Sequence, residues 1–559
     1  MAHNRRGPTK GSVSNMTLLD SISPNAILKN LRVRYEDEQI HTSIGPVLVA
    51  INPFKMIPSQ YTPARIREYR GAPRSSLEPH VYGIADEAYR QLIGFSESQC
   101  IIITGESGSG KTETSKIVMQ YISAVSGKSR EIEVVKAKLL AANPVLEAFG
   151  NAKTVNNNNS SRFGKYMQVV FDFKGDPTCA KVTNYLLEKA RVCAPGPNER
   201  NFHSFYQIVK HVPPQWRDQL LLQPCDYYCY LSVSGCYDVV GIDDAKEYQE
   251  MIEGMRTLQF SEEDIEAVHR VVAATLWLGN LTFTEGHDER SSVVDRDVLD
   301  IVASVLGVDS GALEKALCCR GITTGFGARA EFILKPLRQA DAEFSRDTLA
   351  KALYSKLFDT IVRKINVALH DENVGSNTTE IGILDIYGFE IMEYNCFEQL
   401  CINFTNEKLQ QIFIELTIKS EQEEYQKEGI PWEPIPYFNN EPTCTLIEGK
   451  PGVFSVLDDC CHTKKTDQNF VQDLGNFFSS HKAMRVGGGA FTIQHYAGEV
   501  SYHAEGFCAK NKDTLFDDLV ELVQTSSYHF VGMSGWADIE VHKGQKKRPI
   551  TCGKQFTIQ

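Results

Sequence analysis

Apolar residues fall in this chain at two kinds of spacing. Cys100-Ile101-Ile102-Ile103 is a short continuous run that enters a glycine-rich turn, and Ile381-Gly382-Ile383-Leu384 is a second, ending on Asp385. Short apolar runs bounded by turn residues suit buried strands. The first predicts a strand feeding a helix that starts near Lys111. Beyond the second run the period changes. Phe397, Leu400, Cys401 and Phe404 fall at i, i+3, i+4 and i+7, and Leu409, Ile412, Phe413 and Leu416 repeat that spacing. The offset between the two stripes is not a whole number of helical turns. The pattern therefore predicts one helix from about Phe397 to Tyr425, roughly 40 Å long, whose buried face rotates by about a third of a turn. A core helix wrapping its neighbours and a rod carrying movement away from the second strand both suit that stripe. Glycine and proline punctuate short strands and medium helices throughout, with no repeat and no long linker, as in a large α/β body.

Composition narrows the class. The 559 residues are 42% hydrophobic and 23% charged, enough for one large core or several coupled subdomains. No run approaches the roughly 18 apolar residues of a membrane span. Residues 1–14 carry Arg5, Arg6 and Lys10 with no apolar stretch behind them. They read as a disordered basic arm, not a secretory signal, and leave 15–559 as the folded body. A net charge of -13 argues against nucleic acid and against membrane contact within this chain. The 15 cysteines are scattered, which suits reduced cytoplasmic thiols rather than a disulfide framework. Cys460-Cys461-His462 lacks the spacing of a zinc site.

The sharpest motif is Gly105-Glu106-Ser107-Gly108-Ser109-Gly110-Lys111-Thr112, a G-x-x-x-x-G-K-S/T sequence without a mismatch. Its glycines let backbone N–H groups turn inward around phosphate oxygens, and the following helix offers its positive end to the same anion. Lys111 is expected to reach the β- and γ-phosphates and the Thr112 hydroxyl to ligate Mg²⁺. Hydrolysis needs a second metal hydroxyl, a positioned water and a sensor of the γ-phosphate. Two segments offer candidates. One is Asn156-Asn157-Asn158-Asn159-Ser160-Ser161-Arg162-Phe163-Gly164-Lys165, although four asparagines also suit a low-complexity loop. The other is Asp385-Ile386-Tyr387-Gly388-Phe389-Glu390, a strand end turning through glycine.

With these residues in view the sequence resembles the myosin motor domain. Asn157 to Lys165 is similar to the first-switch pattern N-x-N-S-S-R-F-G-K, and Asp385 to Glu390 to the second-switch pattern D-I-x-G-F-E. Leu186-Leu187-Glu188-Lys189, Asn201-Phe202-His203, Asn406-Glu407-Lys408-Leu409-Gln410-Gln411 and His495-Tyr496-Ala497-Gly498 also resemble family blocks, in family order. No extra subdomain precedes Ile44-Gly45-Pro46-Val47-Leu48-Val49, as in class I. Kinesins share the P-loop and an N-x-x-S-S-R switch, but their second switch reads D-L-A-G-S-E and they lack the other blocks.

The resemblance implies an α/β fold, a P-loop NTPase-type motor core. Its twisted central sheet is mostly parallel or mixed and flanked by helices, with helical actin-binding subdomains. It implies an actin-activated ATPase with ATP and Mg²⁺ as ligands. Ser161 would join Thr112 on the metal, Ser107, Ser160 and Asn157 would contact phosphates, and Ser160 would relay a proton from the attacking water. Gly388 would donate its N–H to the γ-phosphate, and Arg162 and Glu390 would form an ion pair closing the site. Asn52-Pro53-Phe54-Lys55 resembles the start of the purine loop; one extra residue separates Pro53 from Tyr61, the aromatic expected over the base. The implied partner is filamentous actin, on the actin cytoskeleton. Lys546-Lys547-Arg548 lies where the family has a basic actin-contacting loop. Glu331 stands where it has an acid or a phosphorylatable residue, implying activation without a heavy-chain kinase. By resemblance a motor continues beyond Gln559 with a central strand, a reactive-thiol helix, a converter and a light-chain-binding lever. Without them, low stability and no directed movement are expected. The alternative is a nucleotide-binding, actin-associated remnant without turnover.

Overall fold

The computed structural model describes residues 11–127, 130–286, 289–324, 331–370, 378–463, 465–512, 515–528, 536 and 551–553. Its central sheet has four strands among these residues: β1 (Gln99–Ile103), β2 (Gly164–Phe171), β3 (Pro177–Tyr185) and β4 (Thr379–Asp385). They lie in the order β1-β4-β2-β3. β4 runs parallel to β1 and antiparallel to β2, and β2 is antiparallel to β3, so the sheet is mixed. Asp385 pairs with Ile103 on one side and Lys165 on the other. The carboxyl ends of β1 and β4 therefore share a rim with the amino end of β2. That rim is where ligands bind in α/β sheets, and all three motif loops open onto it.

Helices α1 (Val81–Phe95), α2 (Lys111–Val125), α3 (Arg130–Gly150) and α4 (Gln339–Leu369) pack on the sheet. α2 starts at Lys111, as the apolar run and its turn predict, and buries Ser115, Val118, Met119, Ile122 and Val125 along one helical face. One large apolar core joins the sheet and these helices. A second, separate core gathers Phe389, Phe397, Leu400, Cys401 and Phe404 against a three-stranded antiparallel sheet. Its strands are β5 (Met484–Gly487), β6 (Ala490–His495) and β7 (Gly498–His503). Ile383 belongs to the first core and Phe389 to the second, so the boundary runs through the loop after Asp385.

The long helix exists but is not uniform. α5 (Phe397–Ile414) passes through a π-helical turn at Glu415–Lys419 into α6 (Ser420–Lys427). The first stripe is buried as expected. The second is not: Leu409 is half-buried, and Ile412, Phe413 and Leu416 are 39%, 42% and 65% exposed. The helix leaves the second core near Ile414, so the expected rotating buried face is half right. β1 differs too. Among the described residues it pairs only with β4, and Cys100 and Ile102 face outward. Val13 exchanges hydrogen bonds with Asn30 in both directions, so the described chain is already tied to the body inside the expected arm.

Glu331 opens the strand Glu331–Pro336, its backbone paired with Thr324 in a hairpin. Lys546, Lys547 and Arg548 lie outside the described residues. No helix among the described residues is long and apolar enough to cross a membrane.

Candidate active site

The P-loop turns on Gly108 and Gly110, whose φ values of 80° and 94° are left-handed and favour glycine. Gly110 caps α2, directing the helix's positive end at the turn. Lys111 Nζ lies over the carbonyls of Gly105 (3.0 Å) and Glu106 (2.6 Å). Burial draws its pKa down to about 8, against the raising pull of Asp385, Glu390 and Glu106. A cation in so dry a place gains strongly from an incoming anion. Asn52 braces the turn by donating to the Gly108 carbonyl at 2.8 Å.

The asparagine-serine segment is a structured loop, not low-complexity sequence. Thr154 and Asn157 close a turn through three hydrogen bonds. Asn159 Oδ1 accepts from Asn151 at 2.9 Å and lies 3.2 Å from His203 Nε2. Ser160–Ser161 then pairs with Asn151–Ala152 at the end of α3. This delivers Ser161 Oγ to 3.3 Å from Thr112 Oγ1 and Ser160 Oγ to 3.4 Å from Ser107 Oγ, across about fifty residues of sequence.

The loop after β4 meets the P-loop directly, through a bridge between Glu106 and Phe389. Asp385 is buried, with Oδ2 3.3 Å from Lys165 Nζ and 3.5 Å from Ser115 Oγ. Asp385 Oδ1 is buried without a hydrogen-bond partner. A Cβ on Gly388 would come within 2.5 Å of Lys111 Nζ and nearer still to the P-loop backbone. The three loops enclose a cavity of about 160 Å³. From the expected set, Asn52, Ser107, Gly108, Gly110, Lys111 and Thr112 line it on one side. Asn157, Ser160, Ser161 and Gly388 line it on the other. Gly105, Glu106, Ser109 and Asp385 are not in its wall and support it from behind. Tyr61 is also outside the wall, its ring packed on His80 and Tyr82.

Arg162 and Glu390 form the expected ion pair at 2.6 Å, with side chains 0% and 2% exposed. Arg162 also donates to Ser160 Oγ at 3.2 Å, linking the pair to the cavity wall. Glu188, quoted in the Leu186-Leu187-Glu188-Lys189 block without this role, is a third member. It binds Arg162 Nε at 2.7 Å and Arg191 Nε at 2.6 Å. Burial would raise its pKa, but the Arg162 and Arg191 guanidinium groups outweigh that and hold it at about 2. Asn159, Ile386 and Tyr387, quoted within the two switch segments but given no role, also line the cavity, as does Glu113, which lies outside every quoted motif. Glu113 directly follows Thr112, which is the signal that could have found it. Behind the pair, a cavity of about 290 Å³ is lined by Arg162, Glu188, Lys351 and Glu398 and shares Tyr387 with the first.

Comparison with known proteins agrees with this architecture. The family model of the myosin head (motor domain) matches residues 13–555. Myosin IB heavy chain of Dictyostelium discoideum is 46% identical over 98% of this chain and 50% of its own length. Myosin-1 of Emericella nidulans is 47% identical over 97% of this chain and 44% of its own. Myosin ID heavy chain of Dictyostelium discoideum is 48% identical over 97% and 50%. The chain thus spans about half the length of these curated relatives. With a match across nearly its whole length and all three loops on one cavity, the chain belongs to the myosin head (motor domain) family.

Proposed function

We propose that this chain binds and hydrolyses MgATP in the three-loop cavity and forms the larger part of a cytoplasmic actin-activated motor. The carrying observation is the meeting of Thr112 and Ser161 hydroxyls at 3.3 Å beside the Lys111 ammonium. Inward N–H groups of the P-loop and Lys111 bind the triphosphate, and Asn52 supports the adenine side. Thr112 and Ser161 are the right donors for a hard cation, and Asp385 Oδ1 is a buried acceptor suited to a metal-bound water. These residues would hold Mg²⁺, whose charge offsets negative charge on the phosphate oxygens. Ser160, between Ser107 and Arg162, orients the attacking water and relays its proton. Gly388 contacts the γ-phosphate through its N–H, so loss of that group changes what the second switch touches. The Arg162–Glu390 pair closes the cavity and keeps water out, and its value lies in geometry.

Filamentous actin is the proposed partner, met through local basic and apolar patches because the chain is acidic overall. Glu331 and Lys546-Lys547-Arg548 are the proposed contacts. The intact switch residues favour this reading over an inactive remnant. The test is phosphate release by the purified chain with and without actin filaments. Stimulation by actin is expected; ATP binding without turnover in either condition would refute it.

A further inference from the structure

The Arg162–Glu390 pair depends on where the Glu390 backbone sits, and one side chain fixes both of its polar groups. Asn403 Oδ1 accepts the Glu390 N–H at 2.8 Å, and Asn403 Nδ2 donates to the Glu390 carbonyl at 2.8 Å. The second Nδ2 hydrogen goes to Tyr502 Oη at 3.0 Å. Tyr502 Oη also lies 2.8 Å from His495 Nε2. His495 Nδ1 in turn lies 2.8 Å from Glu407 Oε2, so the imidazole bridges the tyrosine hydroxyl and the carboxylate. Glu407 is anchored further by Asn440 Nδ2 at 2.7 Å and by the Tyr496 N–H at 3.2 Å. Asn403, Glu407, His495, Tyr502 and Glu390 are all buried.

The amide orientation that satisfies Glu390 also places Nδ2 on Tyr502 Oη, so Asn403 is held from outside the switch as well as by it. Asn403 and Glu407 are one turn apart on α5, while His495 and Tyr502 end β6 and lie within β7. The four side chains therefore close a ring that joins helix to sheet at two points and holds the second switch at a third. A flipped Asn403 amide would set its N–H group against the Glu390 N–H and its oxygen against the Glu390 carbonyl, a cost that burial raises.

We propose that Asn403, oriented by Tyr502, is a positioning residue that holds Glu390 in register for its pair with Arg162, so that the second core sets the hydrolysis-competent closure. This rests on the hydrolysis reading above. The test measures nucleotide-binding rate and phosphate-burst amplitude in the full chain, in Tyr502→Phe, in Asn403→Asp and in the double variant. Thr492→Val is the control, because Thr492 bonds Ser501 on the exposed face of the same sheet. Tyr502→Phe keeps the ring and removes the hydroxyl. It should leave the binding rate within about twofold and lower the burst about tenfold, the scale of one buried hydrogen bond. Asn403→Asp should lower it further, and adding Tyr502→Phe should cost nothing more, since Tyr502 acts through Asn403. The control should keep its burst. An unchanged burst in Tyr502→Phe, losses that multiply in the double variant, or an equal loss in Thr492→Val overturns the proposal. No burst in the unsubstituted chain overturns the hydrolysis reading itself, and this inference with it.

Discussion

Replacing Gly388 by alanine isolates the contact between the second switch and the P-loop. The backbone of Gly388 is not left-handed, so the position demands space rather than conformational freedom. An added Cβ would lie 2.5 Å from Lys111 Nζ, where ordinary contact begins at 3.4 Å. The ammonium could swing aside. The carbonyl carbon of Glu106 and the nitrogen of Ser107 are nearer and belong to a backbone that cannot. The Glu106–Phe389 bridge pins the two loops together, so the switch must retreat by about 1 Å and break it. A misplacement of about 1 Å costs on the order of 100-fold in rate when a reacting group must be aligned. That corresponds to about 2.7 kcal/mol of activation free energy. Binding should survive, because the P-loop glycines, Lys111 and Thr112 are untouched. Rapid-quench measurement of the phosphate burst, alongside titration with a fluorescent ATP analogue, separates the two effects. A normal burst in Gly388→Ala would refute the reasoning, and so would a loss of binding that matches the loss of hydrolysis.

Lys111→Ala should abolish nucleotide binding, and titration with the same analogue checks it; an unchanged titration refutes the P-loop assignment. Reversing Glu390 to lysine should stop hydrolysis, since removing one partner of a buried pair costs about 3–5 kcal/mol. Adding Arg162→Glu should recover only part of the burst, because a glutamate at 162 meets Glu188 as well as the new lysine. No recovery argues against the pairing, and full recovery argues against a role for Glu188. With a fixed carboxylate at Glu331, actin activation should be complete in protein never exposed to a heavy-chain kinase; strict kinase dependence in an ATPase assay contradicts this.

The sequence is most legible where the backbone itself does the chemistry. The glycines of the P-loop are demanded by its φ values, so the motif carries its own geometry. The start of α2 at Lys111 follows from the same grammar. The two switches are legible chiefly through resemblance, because nothing local announces that Ser161 will meet Thr112. Their convergence is a property of strand order: β4 beside β1 and antiparallel to β2 brings three distant loops to one rim. The roles of Glu188, Asn403 and Tyr502 stayed hidden for the same reason, since Glu188 lies 26 residues from Arg162 and Asn403 lies 99 from Tyr502. Periodicity located the long helix but overstated its burial. Leu409, Ile412, Phe413 and Leu416 have helical spacing whether or not anything covers them, and spacing reports a face rather than its partner.

Ser161, far in sequence from the P-loop, is proposed to share one metal with Thr112, whose hydroxyl lies 3.3 Å away. Ser161→Cys exchanges a hard oxygen for a soft sulfur at that position, and thiolate ligands favour softer metals over Mg²⁺. Hydrolysis by Ser161→Cys should be poor with Mg²⁺ and recover when Mn²⁺ or Cd²⁺ replaces it, beyond any gain those ions give the unsubstituted chain. An equal loss with every metal, or no loss with Mg²⁺, would contradict the account.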